Sequence, residues 1–327
     1  MFNPLAPQDL RKEPRFCGCS REAAMSLDCV QTQVETQVDY TVFCPRQTSW
    51  GVGLQVLAVI GIVVTVILLA VLLVLMRRVR DCGRRSVLAT QVLFLLGLLG
   101  LFGLTFAFLL CLDRCTGPTR FFLFGVLFAI CFSCLLAHTL HLARLARGCC
   151  PFSWLQLLGI AVGFSLVQII IATEYVTLTL TRGVVLAEMA PEALCLDFVL
   201  LLVYVLFLMA LVLLASVAAA FCGPCSGWKR QGLHICVTII FSIAIWASWI
   251  SLLLRTPGRP WDNPVIAIAL VVNAWVFLLT YMVPEICFLC SSCRAPAGGR
   301  PCPGPPFGLK TEVCTQELTQ VTLPGPS

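Results

Sequence analysis

The sequence predicts an all-α membrane protein, a bundle of seven transmembrane helices with its N-terminus outside and its C-terminus inside. Three observations predict it: the composition, seven apolar runs of spanning length, and basic residues concentrated in alternate loops. Hydrophobic residues make up 59% of the 327 and charged residues only 12%, with a mean hydropathy of +0.95. A soluble domain carries about 45–50% and about 25%, so this chain has far more apolar surface than a water-exposed fold can bury.

A hydrocarbon core about 30 Å thick takes roughly 20 helical residues to cross. The first run of that length, 50–76, ends in "MRRVRDCGRR". The second, 86–112, stops at "DRCTGPTR", and the third, 121–145, runs into "ARGCCPFS". The fourth to seventh are 154–180, 198–221, 233–254 and 264–287. Lipid leaves backbone N–H and C=O groups unsatisfied, and none of these runs alternates as a barrel strand does, so each must be a helix. Short connections pack neighbours antiparallel. The chain then divides into an extracellular segment, 1–49, with 1–24 disordered, a seven-helix domain, 50–287, and a disordered cytoplasmic tail, 288–327. The tail's "RAPAGGRPCPGPPFG" cannot bury a core. No cleavable signal sequence is expected, because residues 1–49 lack an apolar h-region. Met25 offers an alternative start.

Orientation follows from loop charge. Loops 77–85, 143–153 and 222–232 hold Arg77, Arg78, Arg80, Arg84, Arg85, Arg144, Arg147, Lys229 and Arg230 against the single acid Asp81. The intervening loops balance five bases with five acids. The first set is therefore cytoplasmic and forms the effector-facing basic surface. The net charge of +6 reads as topology and contact with anionic lipid, not as nucleic-acid binding.

This topology sorts the 20 cysteines. Cys29, Cys44, Cys115 and Cys195 lie outside, where disulfides are the default. Cys29–Cys44 would fold the ectodomain on itself, and Cys115–Cys195 would tie the third helix to the second outer loop; the alternative for each is a free thiol. Inside, Cys287, Cys290 and Cys293 close the last helix, Cys149 and Cys150 close the third, and a further pair sits in the third inner loop. Juxtamembrane acylation suits such cysteines better than zinc, which needs paired units that meet in space. No metal and no cofactor is expected.

Catalytic patterns are missing. The three histidines, His138, His141 and His234, lack the companions of a metal or nucleophile motif, and for His138 and His141 hydrogen bonding at a helix interface is the simpler use. The lysines Lys12, Lys229 and Lys310 all fall outside the spans, which excludes an intramembrane Schiff base. The chain is not expected to be an enzyme.

Glu174, in "IIIATEYVTL", is a candidate site residue because an acid inside the bilayer is costly unless it faces a cavity or the bundle interior. It falls about seven residues, roughly 10 Å, outward of the fourth span's centre; a structural hydrogen bond or a headgroup-level position beside Tyr175 is the alternative. Trp246 and Trp249 share one face of the sixth span's outer half. With Glu174, Asn273 and Trp275 they outline a hypothetical outer ligand pocket. Pro284 should kink the seventh helix near its inner end.

Several stretches carry a family resemblance: "LATQVLFLLGLLGLFGLTFAF" (88–108), "LVQIIIATEYVTL" (166–178), "FCGPCSGWKRQG" (221–232) and "NAWVFLLTYMVPE" (273–285). Over residues 27–293 the chain resembles the retinoic-acid-induced orphan receptors, group 5 of the class C G-protein-coupled receptors. The resemblance implies a plasma-membrane receptor with a short ectodomain, a homodimeric state, and a G protein or other cytoplasmic effector as partner. It places Trp246 at the sixth-helix tryptophan that rearranges on activation. Pro284-Glu285 stands where the class usually has Pro-Lys, a charge reversal at the inner-face switch. A seven-helix scaffold that organises partners without signalling is the alternative function.

Overall fold

The computed structural model describes residues 49–78, 82–109, 117–147, 149–181, 201–222, 226–255 and 262–294. They form seven helices long and apolar enough to cross a membrane. In chain order these are α1 (Ser49–Arg78), α2 (Cys82–Leu109), α3 (Gly117–Ala146), α4 (Trp154–Thr181), α5 (Val203–Cys222) and α6 (Ser226–Arg255). The seventh, α7, opens with Asp262–Val276, passes through a π-helical segment at Phe277–Met282 and closes with Val283–Arg294. No strand occurs among the described residues.

Each expected span coincides with one helix, but several helices outrun their apolar runs at the end next to the basic loops. The expected sixth span starts at residue 233, whereas α6 starts at Ser226 and takes in Lys229 and Arg230. The second starts at Cys82 and the seventh continues to Arg294. Charge ends an apolar run but not a helix, since Arg and Lys are good helix formers.

Burial shows which helix is central. In α3, 72% of the spanning window is buried, against 22% in α1 and 28% in α4. α3 packs against α2, α4, α5 and α6, while α7 packs against α1, α2 and α6. Small residues set the closest approaches. At Gly232 a Cβ would meet the α5 backbone, 3.0 Å from the Ala220 nitrogen, so α6 rests directly on α5 there. A Cβ on Gly125 would come 2.8 Å from the Gln168 amide nitrogen, which bridges α4 to the Leu201 carbonyl at 3.2 Å.

Pro284 acts through the π-helical segment. Lacking an N–H, it cannot bond the carbonyl four residues back. The segment just before it takes up the mismatch: the Val283 N–H donates to the Leu278 carbonyl, five residues back, and the Thr280 hydroxyl caps the Val276 carbonyl at 2.6 Å. Such segments concentrate at functional positions.

Candidate functional site

Polar side chains converge at the ends of α2, α3, α6 and α7 that carry the basic residues. Tyr281 is buried, its hydroxyl 2.9 Å from His138 Nδ1 and its ring edge-on to Phe94 at 4.9 Å. One turn further in, Glu285 is 4% exposed. One of its carboxylate oxygens, Oε2, accepts hydrogen bonds from the amides of Gln91 (3.3 Å) and Gln231 (3.2 Å). The Thr238 and Thr280 hydroxyls lie 2.7 Å apart. A bilayer offers these groups no water, so each must find its partner within the protein. Glu285 thereby ties α7 to α2 and α6 at once, and Tyr281 ties it to α3.

Aromatic rings fill the bundle above this network. Trp246 is 1% exposed and meets Phe128 at 5.0 Å, Trp249 at 5.4 Å and Phe132 at 6.2 Å edge-on, and Phe124 at 5.8 Å with the rings tilted. Edge-on contacts between rings contribute about 0.5–1.5 kcal/mol each beyond the area they bury. Asn273 is buried beside α6, its Oδ1 accepting from the Ser242 hydroxyl at 2.9 Å. Among the described residues the Trp246 indole N–H and the Asn273 amide nitrogen have no hydrogen-bond partner. Trp275 packs on Phe102 of α2 at 5.9 Å.

The outer candidates are thus only partly brought together. Trp246 and Trp249 share one aromatic cluster, Asn273 on α7 meets α6 at Ser242, one turn deeper than Trp246, and Trp275 turns to α2. Glu174 does not join them. The buried positions of α4 are Leu157, Ala161, Ser165, Gln168 and Ala172; two residues beyond Ala172, and about 200° around the helix, Glu174 is exposed. At the end of the bundle next to the basic loops Arg77, Arg144, Arg147, Lys229 and Arg230 are exposed, and the Arg144 guanidinium lies 4.3 Å above the Phe152 ring. Cys287 is exposed and Cys290 half-buried, both with free thiols, whereas Cys150 is disulfide-bonded and unavailable for acylation. Cys29, Cys44, Cys115 and Cys195 lie outside the described residues, as do the side chains of Arg78, Arg84, Arg85 and Cys293.

Several members of the site escape a reading centred on charge and tryptophan. Gln91 and Gln231 are polar residues within or beside apolar runs, and the cost argument that singles out Glu174 applies to them too. Phe124, Phe128 and Phe132 recur every four residues, the helical spacing of one face. His138 does form the hydrogen bond at a helix interface that the sequence leads one to expect, but nothing in the sequence names Tyr281 as its partner.

Residues 44–285 match the family model described as the 7 transmembrane sweet-taste receptor of 3 GCPR. The chain is 52% identical over 253 residues to retinoic acid-induced protein 3 of Homo sapiens, covering 76% of this chain and 71% of that one. Against the Mus musculus protein of the same name it is 53% identical over 249 residues, 75% of this chain and 70% of that one. With G-protein coupled receptor family C group 5 member C of Mus musculus it shares 40% over 266 residues, covering 76% and 60%.

Proposed function

Because this chain belongs to the class C G-protein-coupled receptors, within the family that holds retinoic acid-induced protein 3 and the group 5 members, we propose that it is an orphan receptor of the plasma membrane that transmits a signal by rearranging its helix bundle. The observation that carries this reading is the continuity of α6 and α7: the Trp246 cluster lies above, and Glu285, held by Gln91 and Gln231, lies below. A ligand or partner acting from outside at Trp246, Trp249, Asn273 and Trp275 shifts the α6–α7 contact. The basic inner surface of Arg77, Arg144, Arg147, Lys229 and Arg230 then presents a changed face to a G protein or other effector. The N-terminus is outside, Glu174 stands at headgroup level on the rim, Cys287, Cys290 and Cys293 take acyl chains, and the receptor works as a homodimer.

The test is dissociation of defined G-protein subtypes in cells expressing the full chain, scaled to surface level, beside Trp246→Ala and Gln231→Leu. A basal or ligand-driven signal that either substitution changes supports the switch. Equal signals from all forms and from empty membranes would favour the second reading, a seven-helix scaffold. That reading draws support from the outer cluster, where rings already occupy the space a ligand would need.

A further inference from the structure

A cleft of about 450 Å³ opens between α6 and α7 where the two spans end, the apolar part of α6 beginning at Trp228 and that of α7 closing at Ser291. Pro284, Cys287, Phe288 and Ser291 line one wall, at the i, i+3, i+4 and i+7 positions of a single helix face. Arg230, Gln231 and His234 of α6 form the opposite wall. Cys287 stands out on its wall. It is exposed and its thiol is free, whereas Cys290, three residues on, is half-buried against the bundle core. Gln231 and Glu285, which also borders the cleft, share the 3.2 Å hydrogen bond that fastens this end of α6 to α7.

These features fit an acyl chain carried by Cys287 itself, given the reading above that this cysteine is acylated. In the transfer, the Cys287 Sγ forms a new thioester bond with the acyl carbon of a long-chain acyl thioester; the donor's own C–S bond breaks, and the thiol proton goes to the departing thiolate. Because the sulfur lines the cleft, the chain starts inside it. Pro284 and Phe288 give it apolar contact, and the exposed Arg230 can cover it with its methylene stem while the charged head stays in water. The Glu285 carboxylate is already held by Gln91 and Gln231, so the cleft does not call for a charged occupant. What the chain supplies is exclusion of water, and a hydrogen bond in a dry, low-dielectric setting is electrostatically stronger. We propose that the acyl chain of Cys287 lies in the α6–α7 cleft and seals the Gln231–Glu285 fastening, which makes acylation of this one cysteine a regulator of how readily the two helices part.

The test uses the full chain purified from cells that acylate it, with its thioesters intact or cleaved by hydroxylamine. Acyl exchange counts the modified cysteines, and Cys287→Ser should lower that count by one. His234→Cys places a reporter thiol on the α6 wall, and its reaction with a maleimide is followed at that site by mass spectrometry. Hydroxylamine should speed this reaction by about tenfold or more, the protection expected of a locally closed site. In the double variant Cys287→Ser, His234→Cys the reporter should react fast throughout. The wild-type chain gives a reading free of the reporter: cleavage of its thioesters should lower the melting temperature, a loss that Cys287→Ser alone should not show. An unchanged acyl count in Cys287→Ser would overturn the acylation reading and this inference with it. A chain present on Cys287 with labelling indifferent to hydroxylamine would overturn the cleft assignment alone. Acceleration that persists in the double variant would give the shielding chain to another cysteine, and equal melting of the acylated and cleaved wild type would overturn the seal.

Discussion

Tyr281→Phe removes one hydroxyl and little else. The ring keeps its edge-on contact with Phe94 at 4.9 Å, and the buried His138 Nδ1 loses the partner that stood 2.9 Å away. Side-chain hydrogen bonds between membrane helices are worth about 0.6 kcal/mol on average and at most about 1.7. If this bond exists only in the arrangement described, its loss moves the two-state equilibrium about 3- to 18-fold. The assay is a double-mutant cycle of Tyr281→Phe and His138→Leu, read both as melting temperature of the purified protein and as basal G-protein dissociation per surface receptor. The two substitutions should be strongly non-additive, with a coupling energy of about 0.6 kcal/mol or more. Additive effects on both readouts would refute the claim that this bond joins α3 to α7.

Other perturbations separate close contact from open surface. Gly125→Leu should lower thermal stability and surface level, because its side chain displaces the Gln168 amide that bridges to Leu201; overpacking of this kind costs about 1–3 kcal/mol. Gly159→Ala, with nothing within 4 Å of the added Cβ, should leave the melting temperature unchanged or slightly raised. Glu174→Gln, on the exposed side of α4, should change stability by less than about 0.5 kcal/mol; a larger loss in a thermal melt would mean that its carboxylate has a structural partner. Replacing Cys287 and Cys290 together by Ser should reduce the acyl-exchange signal of the purified chain, and an unchanged signal would assign acylation elsewhere.

The bundle is legible in the sequence because spanning a bilayer imposes a length and a composition that each run satisfies by itself. Helix ends are less legible, since Lys229 and Arg230 read as loop by hydropathy while remaining helical. Depth can be counted along a run, and Glu174 does lie in the C-terminal third of α4, but depth does not say which way a side chain faces. Its azimuth follows only once Leu157, Ala161, Ser165, Gln168 and Ala172 are known to be the buried set. The inner network is least legible. Glu285 meets Gln91 across 194 residues of chain, and the sequence gives no means of pairing them.

The π-helical segment has a consequence for how α6 and α7 part. Asn273 and Glu285 stand 12 positions apart, which in an unbroken α-helix, at 100° per residue, would aim them about 120° away from each other. The surplus residue of the wide turn between them takes back roughly one such step, so that both reach the sixth helix. Ser242 with Asn273, Thr238 with Thr280 and Gln231 with Glu285 then form one seam running along a single edge. Tilting α6 away strains all three fastenings together, so the seam opens as a zip in one cooperative step. Without the wide turn the same helices would be fastened at one end only, and their separation would be graded.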